Sequence, residues 1–421
     1  MESIFIQIPS YRDPELLPTI KDILATAIHP ERLTFGICHQ FHPDDIWDNL
    51  QEYKDDPRFR IISVPWDESR GLCWARHLIQ KLWKGEKWTL QLDSHHRMLH
   101  GWDQALIYMA NQTEVSKPML TTYCGMYNPK TNEKICEAPY KMLPVKFTSA
   151  GTIVFTPSEI ERWQSLSKPI PGRFVSGHFY FTLGIHCKEY LYDPNLYFQG
   201  DEISLSVRSY SLGYDIFHPH RTVVWHEYTR DGRTKHWDDF KNESTNKLNT
   251  TWYKIDEASK SRLRQLLGME ENGYTLYPHD IGRIRTLKEY EDYAGVDFKL
   301  RRLHLDAKDG KIPPTVLSRD DNWRTVSQTL YKGTVDWSKE YPNIQKSLGC
   351  TCNISFIMVA IEDETGRTLY REDLNKSEYK NGALTTLAYE FESTETPVKS
   401  IVWTYTTKNE WVHKIEKQII S

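Results

Sequence analysis

The N-terminal part of the chain alternates between continuous apolar runs and apolar residues at helical spacing. The continuous runs, each predicted to be a buried strand, lie at residues 4–8, 33–38, 60–64 and 88–92. Apolar residues that recur at helical spacing predict helices at residues 16–28, 44–53 and 72–83. Strands that alternate with helices in this way are typical of βαβ units. The sequence therefore predicts an α/β fold built on a mainly parallel sheet.

The pattern changes along the rest of the chain. Further strands are predicted at residues 119–124, 145–156 and 223–225, and further helices at residues 201–213, 257–267 and 286–293. The stretch 306–324 is rich in turn-forming residues, and the apolar runs after it, at 354–359 and 400–405, are typical of short antiparallel strands. We therefore expect an α/β domain over residues 1–305, a linker over 306–324 and a small antiparallel β domain over 325–421.

Composition and charge exclude several classes of protein. The chain has 421 residues, of which 39% are hydrophobic and 13% aromatic, which suits two or three domains with buried cores. Its net charge of -4 carries no basic stripe, so we expect no nucleic-acid partner. No apolar run approaches the ~20 residues of a membrane span, and the N-terminus lacks the features of a signal peptide. Seven scattered cysteines are typical of reduced thiols, so we expect a cytoplasmic protein.

Candidate metal ligands stand at the ends of two predicted strands. Asp93-Ser94-His95 directly follows the strand at 88–92. Ligands bind at the carboxyl ends of parallel strands, and an Asp-x-His triplet supplies two metal ligands from one tight turn. His96 is as well placed as His95 on spacing alone, and His226, which ends the run at 223–225, is a candidate third ligand. The plain structural alternatives are a turn-forming aspartate and a histidine of the core.

Five segments form an ordered set of motifs. They are IFIQIPSYRDPE at 4–15, DESRGLCWAR at 67–76, WTLQLDSHHRMLHGWD at 88–103, the stretch 192–228 with GDEISLSVRSYSLG and VVWHEY, and GRIRTLKEYEDYAGVDF at 282–298. Together they resemble the polypeptide α-N-acetylglucosaminyltransferase family, whose best-known members modify hydroxyproline on a cytosolic ubiquitin-ligase adaptor. The DSH triplet and the GDE segment are also similar to the polypeptide N-acetylgalactosaminyltransferases. The resemblance implies a GT-A nucleotide-sugar domain, which is Rossmann-like, and transfer with retention of configuration.

The resemblance also implies a role for each matching residue. A divalent cation, Mn²⁺ or Mg²⁺, is expected to be bound by Asp93, His95 and His226. The expected contacts to the nucleotide come from Ile8, Pro9, Ser10 and Arg12 at the uridine, and from Asp93, Ser94 and Arg76 near the ribose and the diphosphate. Asp201 and Glu202 match the acidic pair below the donor sugar, and we favour Glu202 for contact with the sugar or the acceptor hydroxyl. The candidate catalytic residues are therefore Glu202, Asp201 and Arg76.

The expected function is metal-dependent transfer of a sugar from a UDP-sugar, with UDP-GlcNAc as the expected donor, to a hydroxyl group of a polypeptide or glycan. A divalent cation stabilises the departing diphosphate in such a reaction. Two features leave the donor sugar open: Leu72 stands where related sequences tend to have proline, and either 149–151 or 175–178 can form the floor under the sugar. The alternatives are a bacterial glycan-building glycosyltransferase that uses another UDP-hexose, and a non-catalytic carbohydrate-binding scaffold.

Overall fold

The computed structural model describes residues 2–229, 232–315, 322–348, 353–375 and 385–419. The chain divides into two compact units. The first comprises Met1–Lys146 and Ala150–Thr325, and the second comprises Phe147–Ser149 and Val326–Ser421. No helix within these described ranges is long and apolar enough to cross a membrane.

Sixteen strands and nine helices are found along the described residues up to Thr325. The strands are β1 (Ile4–Tyr11), β2 (Leu33–Phe41), β3 (Phe59–Pro65), β4 (Trp88–Leu92), β5 (His96–Met98), β6 (Pro118–Thr121), β7 (Gly125–Met126), β8 (Tyr140–Phe147), β9 (Ile153–Glu159), β10 (Ile170–Pro171), β11 (Phe179–Leu183), β12 (Asp215–His218), β13 (Val224–His226), β14 (Val296–Asp297), β15 (Arg302–His304) and β16 (Trp323–Thr325). The helices are α1 (Leu16–Thr26), α2 (Leu72–Gln80), α3 (Trp102–Gln112), α4 (His186–Glu189), α5 (Asp201–Ser211), α6 (His236–Asp239), α7 (Trp252–Leu266), α8 (Leu287–Ala294) and α9 (Leu305–Lys308).

An eight-stranded mixed sheet, in the order β10-β12-β6-β11-β4-β1-β2-β3, forms the centre of the first unit. Neighbouring strands are parallel from β4 through β1 and β2 to β3. In the other half, β11 runs antiparallel to both of its neighbours, and β10 runs antiparallel to β12. The predicted α/β class is confirmed. The expectation of a mainly parallel sheet holds for the N-terminal half and for the pair β6–β12, but not for β10 and β11. Apolar periodicity does not encode the direction in which a strand enters a sheet.

Strands β1, β2 and β4 of the parallel half are buried on both faces, which explains their continuous apolar runs, whereas the edge strand β3 is buried only in part. Ile4, Ile6 and Ile8 of β1 pack in the cluster that contains residues of α1 and α3. Phe5, on the opposite face, packs with Ile79 of α2. Since α1 and α2 lie on different faces, the connections diverge at the β1–β4 pair. Such a switch point leaves a crevice beyond the carboxyl ends of the two strands.

The helix predicted at residues 44–53 is wrong, and only Gln51–Tyr53 forms a short 3-10 turn. Turn hydrogen bonds join the amide of Asp45 to the carbonyl of His42 at 3.0 Å and the amide of Asp48 to that of Asp45 at 2.9 Å. Only half of the apolar residues that suggested a helical face reach the core: Leu50 and Tyr53 are buried, whereas Ile46 and Trp47 are 88% and 43% exposed. The His-Pro-Asp-Asp sequence before them favours turns over helix.

A separate three-stranded sheet, in the order β5-β13-β7, lies in the first unit. β13 pairs antiparallel with β5, so that His226 lies opposite His96. The described part of the predicted linker also belongs to this unit, because β16 pairs with β15.

The second unit is built from antiparallel strands and one helix in its described part, as predicted for the C-terminal part of the chain. These elements are β17 (Thr329–Asp336), α10 (Tyr341–Leu348), β18 (Ile354–Glu362), β19 (Thr368–Asn375), β20 (Thr386–Ser393), β21 (Lys399–Thr406) and β22 (Trp411–Gln418). They form a two-stranded sheet, β17-β20, and a four-stranded sheet, β19-β18-β21-β22. Residues from both sheets and α10, such as Val335, Ile344 and Val359, share one apolar core.

Candidate active site

Three potential metal ligands meet at the edge of the central sheet. Asp93 directly follows the buried strand β4, and the turn after it carries His95 and leads into β5. The pairing of β13 with β5 then brings His226 to the same place from far along the chain. One ligand atom each from Asp93, His95 and His226 lies within 4.8 Å of the others.

The chemistry of this cluster fits a divalent cation. Asp93 Oδ2 is 3.7 Å from His226 Nε2 and 4.0 Å from His95 Nε2. Both of these nitrogens are buried and find no hydrogen-bond partner among the described residues. Buried polar atoms are almost always paired in folded proteins, so two such nitrogens that face one carboxylate are suited to hold a ligand. The residues present can therefore supply one carboxylate oxygen and two imidazole nitrogens to a metal.

The charge states of the cluster are those that metal binding requires. Burial lowers the pKa of His226 well below its ordinary value, and the nearby His178 acts in the same direction. His226 is therefore neutral at physiological pH, with a lone pair free for a metal. Burial acts to raise the pKa of Asp93, but His226 and the charge of Arg76 outweigh it and hold that pKa well below its usual range. Asp93 is therefore a carboxylate.

His95, and not His96, belongs to the converging set. The Nδ1 atom of His96 is 3.1 Å from the backbone oxygen of Asp93. The His96 ring packs against the rings of His178 and His226, with centroid distances of 6.0 and 4.8 Å. His96 thus supports the cluster from one side.

Asp13 fixes the orientation of His95. Its Oδ2 atom is 2.7 Å from His95 Nδ1 and accepts hydrogen bonds from Ser94 Oγ and Arg233 Nη1, both at 2.6 Å. Arg233 Nη1 is also 2.6 Å from His95 Nδ1, but that nitrogen cannot donate to Asp13 and accept from Arg233 at once. A His95 that binds a metal through Nε2 carries its proton on Nδ1 and donates to Asp13. Asp13 would therefore be the carboxylate partner of His95 in a metal-bound site.

We predict that Asp13→Asn weakens Mn²⁺ binding by about 10- to 100-fold, because the amide holds the ring of His95 less firmly and lowers its basicity. Calorimetric titration of the protein with Mn²⁺ measures the change. Asp48→Asn is the matched control, because Asp48 is a buried carboxylate 2.9 Å from His39 Nε2 and outside the cluster. An Asp13→Asn protein that is folded and binds Mn²⁺ like the wild type would contradict this role for Asp13.

Arg76 connects the cluster to the start of α5. Its side chain is buried, and Nη2 donates to Asp93 Oδ1 at 3.0 Å and to the carbonyl oxygen of Gly177 at 2.6 Å. Nη1 donates to Asp201 Oδ2. The guanidinium group also lies over the ring of Tyr192, 5.5 Å from its centroid. Arg76 therefore balances two carboxylates, the partly exposed Asp93 on one side and the buried Asp201 on the other.

Glu202 is held beside this network. Its Oε2 accepts a hydrogen bond from the Tyr123 hydroxyl at 2.7 Å, and its Oε1 accepts one from the amide of Gly177 at 3.0 Å. Burial raises the pKa of Glu202 to about 7. A Cβ atom at Gly177 would lie 2.9 Å from Asp201 Oδ2, so this close approach requires glycine. The segment 175–178 thus lies against the acidic pair, whereas Gly151 of the other candidate floor lies next to Met269.

A cleft opens above the cluster. One wall is formed by the end of β1 and the turn after β4, and the other by residues 233–237. The lining residues are Pro9, Tyr11, Asp13, Gln40, Gly71, Leu72, Asp93, Ser94, His95, Tyr197, Phe198, Arg233, Thr234, Lys235, His236 and Trp237. The second wall is anchored at His236, where Nδ1 is 2.8 Å from the Tyr197 hydroxyl and Nε2 is 3.2 Å from the carbonyl oxygen of Ser69.

Comparison with known proteins identifies the family. Residues 3–56 and 49–300 match the family model described as Glycosyltransferase (GlcNAc). The chain belongs to this glycosyltransferase family. No curated protein matches it. It is similar to the solved structure of GalNAc-T7 with UDP, GalNAc and Mn²⁺ at 14% identity and a TM-score of 0.45, with 69% of this chain and 54% of that chain covered.

A second similar structure is that of residues 1–349 of S. aureus TarS in complex with UDP-GlcNAc, at 11% identity and a TM-score of 0.37. The match covers 56% of this chain and 60% of that chain. The glycosyltransferase thus spans between half and two thirds of the length of these two solved chains.

The residues that the sequence proposed for nucleotide contact separate into two groups. Pro9, Asp93 and Ser94 line the cleft of the glycosyltransferase, but Ile8, Ser10, Arg12 and the buried Arg76 do not. The side chains of Ile8 and Ser10 are buried. Arg12 has a positive φ of 50°, and its guanidinium group binds Asp45 and Asp239 at 2.7 and 2.9 Å instead. These two ion pairs hold the Arg12 guanidinium group outside the set of residues that line the cleft.

Several cleft residues of the glycosyltransferase were not found from the sequence. Asp13 lies within the first motif but after the residues assigned to the uridine. Arg233 and Lys235 follow the third ligand in a polar stretch without periodicity. The one indication that Arg233 and Lys235 lie near the site was their position in the sequence, because they follow shortly after the strand that ends in the predicted ligand His226.

We predict that Glu202→Gln changes the pH dependence of stability. The pKa of Glu202 is raised from 4.5 to about 7 in the folded protein, so the folded state binds more protons than the unfolded state between these values. Wild-type stability therefore falls as pH rises from about 4.5 to 7, by on the order of 1–3 kcal/mol, and glutamine removes this loss. Urea unfolding of both proteins at pH 5 and pH 8 measures it. Parallel pH profiles for the two proteins would show that Glu202 ionises normally.

Proposed function

We propose that this glycosyltransferase moves N-acetylglucosamine, with retention, from UDP-GlcNAc to a hydroxyl group of a polypeptide or glycan, and that it requires Mn²⁺. The observation that carries this proposal is the convergence of Asp93, His95 and His226 at the switch point of the sheet. A carboxylate followed by an imidazole at this edge is suited to a nucleotide diphosphate bound through a metal. The family match adds GlcNAc as the expected sugar.

We assign the proposed activity to a GT-A nucleotide-sugar domain over residues 1–305. The parallel half of the central sheet supports this assignment, because it places the end of β1 and the end of β4 side by side. The nucleotide is proposed to lie in the cleft above these strand ends. The β-rich part from residue 325 onward is proposed to be an accessory domain.

The ligand set favours Mn²⁺ over Mg²⁺. Mg²⁺ prefers oxygen ligands and keeps several waters, whereas two of the three proposed ligands are imidazoles. The cation supplies positive charge that stabilises a departing diphosphate.

The surrounding residues are proposed to position the reacting groups. Arg76 holds Asp93 through a 3.0 Å hydrogen bond and leaves its Oδ2 atom directed at the two histidines. Glu202, fixed by Tyr123 and Gly177, is proposed to contact the sugar or the acceptor hydroxyl. In the proposed reaction the bond between the anomeric carbon and the phosphate oxygen breaks, and a bond to the acceptor oxygen forms on the same face. The hydroxyl proton passes to the departing phosphate oxygen, so no protein nucleophile is needed.

The proposal is tested by incubating the protein with UDP-GlcNAc and Mn²⁺ and measuring released UDP, with and without EDTA. Release of UDP that depends on Mn²⁺ is expected. Faster release from another UDP-hexose would favour a glycan-building enzyme with a different donor. Absence of both UDP release and metal-dependent UDP binding would favour a non-catalytic carbohydrate-binding scaffold. Glu202→Gln in the same assay tests Glu202, because near-normal transfer would remove it from the reaction.

A further inference from the structure

We propose that Lys235 contacts the diphosphate of the bound nucleotide from the wall of the cleft opposite the metal ligands. This inference rests on the proposed function and adds a charged contact that does not involve the metal. Lys235 lies outside all five sequence motifs.

The other charged side chains of the cleft already have partners. Asp93 is bound by Arg76 at 3.0 Å. Arg233 binds Asp13 through Nη1 at 2.6 Å and Glu227 through Nη2 at 2.5 Å. Lys235 lines the same cleft, and its ammonium group forms no ion pair within the described ranges. Among the described lining residues, Lys235 is therefore a cation without an ion-pair partner, and its charge can meet a ligand.

Two hydrogen bonds to Asp238 hold the backbone of Lys235 in place. The Lys235 amide donates to Asp238 Oδ2 at 3.0 Å, and its carbonyl accepts from the Asp238 amide at 2.9 Å. The next residue, His236, is anchored to Tyr197 at 2.8 Å. The Cα atom is therefore fixed at the cleft wall, and the flexible stem of the lysine can direct its ammonium group into the cleft.

The charges of the site do not fully neutralise a bound diphosphate, so a further cation would be favourable. The diphosphate of a nucleotide sugar carries about two negative charges, and part of the charge of a divalent ion is offset by its own carboxylate ligand. Arg76 is buried with Asp93, Asp201 and the carbonyl of Gly177 as acceptors, so its charge is already used. A compact ammonium group is well suited to the remaining negative charge of phosphate oxygens.

The test compares UDP with uridine, which lacks the phosphates. Wild type, Lys235→Ala, Lys235→Arg and Lys241→Ala are titrated with each ligand in the presence of Mn²⁺ by calorimetry. We expect Lys235→Ala to weaken UDP binding about tenfold, with uridine binding unchanged. Lys235→Arg keeps the charge and is expected to bind UDP nearly as wild type does. Lys241 is the matched control, because it carries the same charge on the same segment, outside the cleft, with its side chain 65% exposed.

Three outcomes overturn the inference. UDP binding of Lys235→Ala equal to that of wild type removes the contact. An equal loss of UDP and uridine binding shows that Lys235 only maintains the wall. Wild-type protein that binds no UDP with Mn²⁺ overturns the proposed function and this inference with it, so the two failures are distinguishable.

Discussion

Replacing Asp93 by asparagine is expected to lower sugar transfer by about a thousandfold and to abolish tight Mn²⁺ binding. Asp93 Oδ2 is the atom that faces both His95 Nε2 and His226 Nε2, at 4.0 and 3.7 Å. An amide oxygen is a much weaker ligand than a carboxylate, and loss of metal-borne charge at a departing diphosphate costs several kcal/mol of transition-state stabilisation. Rates of UDP release and Mn²⁺ titrations of the variant measure both effects.

The substitution should leave the fold intact. Arg76 keeps Asp201 and the carbonyl oxygen of Gly177 as acceptors, and an asparagine oxygen can still accept its third hydrogen bond. Asp45→Asn is the matched control, because Asp45 also pairs with an arginine near the end of β1, at 2.7 Å from Arg12, but lies outside the ligand cluster. Substantial transfer by a folded Asp93→Asn protein would rule out a metal centre at this residue.

The strands that position the candidate metal ligands could be predicted, because buried strands appear in the sequence as continuous apolar runs. β1 and β4 are buried on both faces, so every position favours an apolar residue or a paired polar one. The segment 44–53 shows the limit of the same reasoning, because only two of its four apolar residues are buried and turns at its aspartates take the place of a helix. Strand direction could not be predicted from the sequence either, because no local pattern indicates that β11 runs antiparallel between β4 and β6.

The site residues that lie within a single sequence motif could be predicted. Asp93 and His95 stand in one triplet at a strand end, and His226 ends another strand, so each had a local signal. Spacing could not decide between His95 and His96, because only the turn of the backbone determines which ring faces Asp93. Asp13 and Arg233 gave no such signal, since they pair at 2.6 Å from positions 220 residues apart. Contacts of this kind depend on how the wall at 233–237 folds back over the sheet.

Arg76→Met is expected to lower the free energy of unfolding by about 3–5 kcal/mol and to reduce transfer strongly. The substitution removes the guanidinium group between Asp93 and Asp201, so that the two negative charges repel each other. Removing one partner of a buried ion pair lowers the free energy of unfolding by about this amount. Urea unfolding measures the loss of stability. Arg12→Met is the matched control, because Arg12 also binds two carboxylates but is 14% exposed, so a loss of only about 1 kcal/mol is expected.

A double variant separates the stability effect of Arg76 from its effect on the reaction. Burial raises the pKa of Asp201 even beside Arg76, so Asp201 is the carboxylate that most needs the arginine. Arg76→Met combined with Asp201→Asn removes both members of this pair, and we expect it to recover about 1–3 kcal/mol of stability relative to Arg76→Met alone. Transfer should not recover, because Asp93 still lacks the donor that directs its Oδ2 atom at His95 and His226. Recovery of both properties together would mean that Arg76 serves only to neutralise Asp201.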